Sequence, residues 1–434
     1  MKRWQIALVV VLLLLASAAA FFFMPAGLEP AQASPSQPTG AALIEKGRYL
    51  ATAGDCAACH SVPGGAPLAG GLAFKLPFGT IYSSNITPDR DTGIGSWSDA
   101  EFVRAMHHGV RKDGQELYPA FPYTAYTRMS TDDALAIRAY LATVPAARSK
   151  VQPNALSFPF NQRWLMRAWK RLFMPKGRIE PDPGHTPEWN RGAYLVEGFA
   201  HCGECHTPRN LLYGLREGRK FAGATTQGWT AYNISSDPRA GIGAWSVDEI
   251  AAYLSTGHAA GRGSASGSMA EAIELSLSHL SGPDIRAMAI YLKSIPPQAA
   301  RHGQVVEMNP PALLRSTAFA PGPGVAKPGD LGMRIFEGSC ASCHGWNGDG
   351  LQTPYATLRG AQSVNDPRGT NVIQVVLRGS KLTLPGGTVF MPGFGRAYTD
   401  AEIAAVTNFV LAQFGNKPAG VTPKRVAEAR QMGG

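Results

Sequence analysis

From Ile6 to Met24 the chain is apolar at every position except Ser17, and no later run is long enough to cross a bilayer. Beyond it the pattern changes to short helical periodicities separated by Gly- and Pro-rich stretches. Three of these close with a helix of the same design: "STDDALAIRAYLATVP" from Ser130, "SGPDIRAMAIYLKSIP" from Ser281 and "TDAEIAAVTNFVLAQFG" from Thr399, each with a hydroxyl residue as cap and acids in the first turn. Two middle helices open with Ser98 and Ser246, followed three residues on by Glu101 and Glu249, the spacing of a capping box. Strand signal is slight. The pattern predicts an all-α fold with much irregular chain.

One helix stands outside this repetition. In "FNQRWLMRAWKRLF", from Phe160, the residues Trp164, Leu165, Ala168, Trp169 and Leu172 share a face, and Arg163, Arg167, Lys170 and Arg171 occupy the others. A basic amphipathic helix with tryptophans fits a membrane surface, or a packed position between neighbouring elements.

The punctuation sets the domain plan. Residues 1–33 form a signal peptide or a retained anchor: Lys2 and Arg3 precede the apolar run, and Ala31-Gln32-Ala33 has the small residues of a cleavage site. "SPSQPTG" over 34–40 is a linker. Domain 1 spans 41–148, a linker with the amphipathic helix 149–188, domain 2 189–298, a Pro/Gly-rich connector 299–326 and domain 3 327–416. A polar tail, 417–434, is expected to be loosely held. Domains 1 and 2 repeat each other, as "NITPDRDTGIGSWSDAEF" at Asn85 and "NISSDPRAGIGAWSVDEI" at Asn233 show.

Composition adds little until the cysteines are counted. Of 434 residues, 44% are hydrophobic, enough for packed cores, and the net charge is +10. No basic tract interleaves with aromatics, so nucleic acid is not a partner the sequence supports; the charge suits acidic partners or anionic lipid. All six cysteines lie in three C-x-x-C-H motifs: Cys56, Cys59, His60; Cys202, Cys205, His206; Cys340, Cys343, His344. Structural zinc needs two such pairs roughly 15–20 residues apart, and these are far more widely separated. A disulfide framework gives no reason for a histidine after every pair, and no βαβ pattern surrounds them to suggest a thioredoxin-like site. Covalent haem attachment explains all three positions. The thiols form thioethers to the haem vinyl groups, and the adjacent histidine ligates iron from the same turn. Three such haems in an exported chain belong on the periplasmic side of a bacterial inner membrane.

The stretches "GDCAACHSVPGGAPLAGGLAFKLPFGTIYSSNITPDRDTGIGSWS" and "RGAYLVEGFAHCGECHTPRN" resemble the tri-haem cytochrome c subunits of bacterial membrane-bound dehydrogenases, those for alcohol, gluconate, fructose and aldehyde, and related subunits of molybdenum hydroxylases. The resemblance runs over essentially the whole chain after residue 33. It implies three tandem class I cytochrome c-like domains, each wrapped around one covalent haem c. It also implies electron transfer from a dehydrogenase catalytic subunit to membrane quinone or a terminal oxidase. No P-loop, dinucleotide fingerprint or catalytic triad signature suggests that the chain binds an organic substrate. Two other functions share these motifs: a haem enzyme with one open coordination site, of peroxidase or reductase type, and a free-standing multihaem carrier.

A sixth iron ligand is expected on the loop before each domain's last helix. Met391, in "GGTVFMPGFGRAYTD", has the Met-Pro pattern usual in c-type cytochromes. Met269 follows a Gly- and Ser-rich approach that can bring backbone close to a flat ring. Domain 1 has Phe121-Pro122 where the family commonly carries methionine, which leaves Met129 as its candidate. Met106 and Met288 fall inside helices and suit the core, whereas His107 and His108, read as exposed, are the alternatives for a bis-histidine haem. Tyr82, Trp97, Trp229 and Trp245 suit either haem contact or core packing, and Arg209 either a propionate or the surface.

Overall fold

A computed structural model describes residues 3–24, 26–28, 31–299, 330–415 and 420–432. The connector expected over 299–326 lies outside the described residues from position 300 onward. The chain divides into two compact units. One comprises Met1–Glu180 with Glu197–His201, the other Pro181–Val196 with Cys202–Gly434. The first therefore holds one C-x-x-C-H motif and the second holds two.

In the first unit, helix Gly40–Ala53 crosses the last helix of domain 1, Thr131–Leu141. Gly47 sits at the crossing: a Cβ there would lie 1.9 Å from the Ala136 carbonyl oxygen. The same joint recurs twice in the second unit. Helix Pro187–Tyr194 crosses Gly282–Ser294 with Gly192 facing the Ala287 oxygen, at 2.0 Å for a Cβ. Helix Leu331–Ser339 crosses Asp400–Gly415 with Gly332 facing the Ala405 oxygen, at 2.3 Å. Two helices approach this closely only where one of them lacks a side chain.

The expected caps form. Ser98 and Ser246 each make both bonds of a capping box, while Ser130 and Ser281 accept from the N–H groups of Asp133 and Asp284. Thr399 and Glu402 close the same box on the third last helix. The molecule is mostly helical rather than all-α: the described residues also contain four small antiparallel sheets. Hairpin Ala73–Leu76/Gly79–Tyr82 follows the first motif, Ala224–Thr226/Trp229–Ala231 the second, and Ser380–Leu384/Gly387–Met391 precedes the third last helix. Each strand is two to five residues long, too short for an alternating pattern to register in the sequence.

The described part of the tail, residues 420–432, is not loose. Pro423–Gln431 is a helix, and its Val426 and Ala429 join the core of helices Leu331–Ser339 and Asp400–Gly415. A mostly polar nine-residue helix needs only those two apolar positions on one side to dock. Within the second unit, the parts around the second and third motifs are joined by buried amides. Asn371 accepts from the Thr230 N–H (2.8 Å) and donates to its carbonyl (3.0 Å), and Gln374 donates to the Gly228 carbonyl.

Candidate haem sites

Each C-x-x-C-H motif begins a helix of a single turn or little more: Cys56–His60, Cys202–His206, and Ala341–His344 with Cys340 as its cap. One turn aims both thiols and the imidazole from the same short segment. No thiol is in a disulfide, and the described residues hold no cluster of three His, Cys, Asp or Glu that could chelate an ion. Burial, with Asp55 and Cys59 nearby, pushes the Cys56 thiol up to about 12; burial and Cys343 push Cys340 up to about 11. Redox-active pairs do the opposite and lower a thiol into the thiolate range.

The three histidines share one device. His60 Nδ1 lies 2.6 Å from the Ser84 carbonyl oxygen, His206 Nδ1 2.6 Å from that of Tyr232, and His344 Nδ1 2.6 Å from that of Ala356. A carbonyl only accepts, so Nδ1 carries the proton and Nε2 keeps its lone pair. Burial lowers all three imidazoles below their ordinary value, and the carbonyl bond opposes this without cancelling it. Neutral imidazole with a committed Nδ1–H is the form that binds a metal through Nε2. Two thiols on one turn beside such an imidazole fit a covalent haem, and they recur three times.

The methionines are held in three different settings, and only Met129 lies on the loop expected before its domain's last helix. Met129 is 0% exposed and follows the single turn Tyr123–Tyr126. In that turn the Tyr126 hydroxyl donates to the Gly54 carbonyl (2.7 Å), just before the first motif. Met269 is half-buried in the first turn of helix Ser268–Leu275. Gly267, immediately before it, has φ +55°, and a Cβ there would strike the Trp229 ring at 2.4 Å. Gly267 thus lets the backbone pack on the Trp229 indole. Met391 is half-buried at the end of its hairpin, opposite Ser380. Met106 and Met288 are buried in their helices, as their positions implied.

Four further residues resolve. His107 is 0% exposed, contrary to its exposed-looking place in the sequence; its Nδ1 lies 2.5 Å from an Arg178 nitrogen, contributed by chain that the helical pattern does not reveal. Arg209 pairs with Glu204 at 2.6 Å and lies over the Tyr213 ring. Trp245 is buried under Arg262 and beside Tyr253. Phe121, where methionine was expected, packs edge-on to Tyr123 and Tyr126.

Sequence comparison places the chain in a family. The profile of the Cytochrome c family matches residues 44–145 and 330–413. The fructose dehydrogenase cytochrome subunit of Gluconobacter japonicus is 38% identical over 93% of this chain and 86% of its own length. The gluconate 2-dehydrogenase cytochrome c subunit of Pantoea cypripedii is 39% identical over 90% of both chains. The chain belongs to the cytochrome c subunits of dehydrogenases. A further relative, one of the subunits of nicotinate dehydrogenase from Pseudomonas putida, is 40% identical over 90% of this chain, which spans only 32% of that protein. As a cytochrome c of this family, the chain carries covalent haem c and works in electron transfer, not as a catalytic subunit.

The profile leaves residues 146–329 unmatched, yet the structure places the same glycine-centred crossing, motif helix and histidine–carbonyl bond there. Sequence reasoning missed these glycines. Their signal was the recurrence of "KGRYL" at Gly47, "RGAYL" at Gly192 and "LGMRIF" at Gly332, each shortly before a motif.

Proposed function

We propose that this cytochrome c subunit holds three haems and conducts electrons from a dehydrogenase catalytic subunit to membrane quinone or a terminal oxidase, at the periplasmic face of the bacterial inner membrane. The observation that carries this is the threefold recurrence of two thiols and an imidazole whose Nδ1–H is fixed by a backbone carbonyl. In this assignment Cys56, Cys59, Cys202, Cys205, Cys340 and Cys343 bear the thioethers. His60, His206 and His344 would each supply a nitrogen ligand to iron, and Met129, Met269 and Met391 would each supply a thioether sulfur. Haem supplies a one-electron ferric/ferrous couple, whose potential a thioether ligand raises. The protein fixes the ligands, so that little reorganises as charge arrives.

Packing outside the sites supports transfer between haems. In the second unit, helix Ser268–Leu275, which carries Met269, meets the hairpin that carries Met391: the Thr383 N–H donates to Glu274 at 2.9 Å. Two sites built into one packed body suit transfer along the chain. Delivery to the membrane, by a cleaved signal or a retained anchor, is supported by helix Arg3–Phe23, which is long and apolar enough to span and has no buried residue.

Haem content tests the proposal. Denatured protein should keep its colour on a gel, and the alkaline pyridine spectrum should return three haems per polypeptide. Two or fewer in fully matured protein would sink the assignment. Co-purification with a flavin-, quinone- or molybdenum-dependent dehydrogenase from detergent extracts is the expected result; consistent isolation alone would point to a free carrier.

A further inference from the structure

The two "Asn-Ile-Thr/Ser" repeats have no role in the assignment above, and both lie directly after a carbonyl that holds a ligating histidine. Ser84 precedes Asn85, and Tyr232 precedes Asn233. Asn85 is buried, and all of its side chain is used. Its Oδ1 accepts from the Thr87 N–H (2.9 Å) and hydroxyl (2.7 Å), while its Nδ2 donates to the Ala147 carbonyl (2.7 Å) and to Thr92 Oγ1 (3.0 Å). Asn233 repeats the arrangement. Its Oδ1 accepts from the Ser235 N–H (2.8 Å) and hydroxyl (2.7 Å), and its Nδ2 donates to the Gln298 carbonyl (2.7 Å). The hydroxyls close each clasp: Ala147 N–H donates to Thr87 Oγ1 (3.2 Å) and Gln298 N–H to Ser235 Oγ (2.9 Å).

Each clasp thus rivets one peptide to the segment leaving the last helix, residues 147 and 298 in turn. The bonds fix the asparagine side chain and with it the Cα, which is a corner of the same rigid peptide plane as the Ser84 or Tyr232 carbonyl. The third site has no asparagine here. Its carbonyl, Ala356, belongs to the short turn Pro354–Ala356, capped by Thr353.

We infer that Asn85 and Asn233 are positioning residues for His60 and His206, and through them set the potentials of two of the three haems. A firmly held carbonyl strengthens the Nδ1–H bond and makes Nε2 a better donor. A better donor favours ferric iron and lowers the potential. Releasing the carbonyl therefore raises it. This rests on the haem assignment proposed above, which the same experiment checks separately.

The test is a potentiometric titration of holoprotein variants alongside their pyridine haem counts. Asn85→Ala should raise one midpoint potential and leave two in place, and Asn233→Ala should raise a different one. Because Asn85→Ala removes four hydrogen bonds and can impair folding, Thr87→Val and Thr87→Ser form the second arm. Valine keeps the shape and loses the hydroxyl, so it should shift the same potential as Asn85→Ala in the same direction. Serine, which the second clasp already uses at Ser235, should restore the parent value. If Asn85→Ala and Thr87→Val both keep their haem count and all potentials stay at parent values, the clasp is only a fold element and the inference falls. If Asn85→Ala loses haem, the Thr87 pair decides alone. A parent count below three would instead refute the haem assignment.

Discussion

Three histidines are fixed by one device and three methionines by three, and the difference governs how each responds to substitution. A carbonyl bond orients His60, His206 and His344 alike. Met391 stands at a hairpin end and Met269 in a first helical turn, both half-buried, so truncating either leaves the scaffold standing. Met391→Ala should lower one midpoint potential, abolish that haem's near-infrared sulfur–iron band and let carbon monoxide bind the ferrous protein. Met269→Ala should do the same at a different haem. An unchanged titration and an intact band in either variant would remove that methionine from the ligand set. Met129 is wholly buried, so Met129→Ala should add a loss of roughly 2–5 kcal/mol in stability to the new carbon monoxide site. A parent protein that already binds carbon monoxide at one haem would overturn Met129 as ligand.

At the scale of elements, the joint between first and last helices is the most repeated feature of the fold. Its glycines set a contest between helix propensity and space. Ala exceeds Gly in a helix interior by about 1 kcal/mol, but at Gly332 the added Cβ would sit 2.3 Å from the Ala405 carbonyl oxygen. Backbone cannot yield as a side chain does, so overpacking of about 1–3 kcal/mol or more prevails. Gly332→Ala should therefore destabilise the protein, measured as a lower thermal midpoint. Gly338→Ala, in the same helix with nothing within 4 Å, should be neutral or stabilising. Equal effects at the two positions would contradict the packing account.

The amphipathic helix, Leu165–Phe173, is covered on parts of both its faces. Two of its cations turn inward: Arg167 and Lys170 reach the buried Glu116 at 2.9 and 2.6 Å, and Lys170 also donates to the carbonyls of His108 and Gly109. Trp169 is buried, whereas Trp164 and Leu172 from the same apolar face are 50% and 57% exposed. Sequence periodicity groups those residues correctly but does not say which face is covered.

For the whole molecule, the proposed association with the membrane turns on whether the first thirty-three residues are cleaved or retained. Ser34 is tied to the start of helix Thr131–Leu141. Its N–H lies 2.8 Å from Asp132 Oδ1, and its hydroxyl donates to Oδ2 at 2.5 Å. Cleavage after Ala33 would turn that amide into an ammonium facing a carboxylate, a stronger bond than the one it replaces. The mature chain is expected to begin at Ser34, with the surface around Trp164 and Leu172, or a partner subunit, holding it to the bilayer. Intact mass decides. A mass that retains Ile6–Met24 would overturn this expectation, and the protein would then remain in the membrane pellet through high salt.

The sequence by itself determined what is local. One turn must supply two thioethers and a ligand, so C-x-x-C-H declares its chemistry without a fold around it. Caps at Ser98, Ser246, Ser130 and Ser281 were legible because both partners lie within a turn. Tertiary structure alone decided what approaches from a distance. The carbonyls serving the histidines lie 24, 26 and 12 residues on, and every residue has a carbonyl, so none is marked in the sequence. His107 was read as exposed because a helical pattern shows a face and not its cover, and the tail helix was missed because two apolar residues suffice to dock it. The same reason left the asparagine clasps visible as a repeat yet without a role: their partners, Ala147 and Gln298, offer only backbone, and only folding brings it within reach.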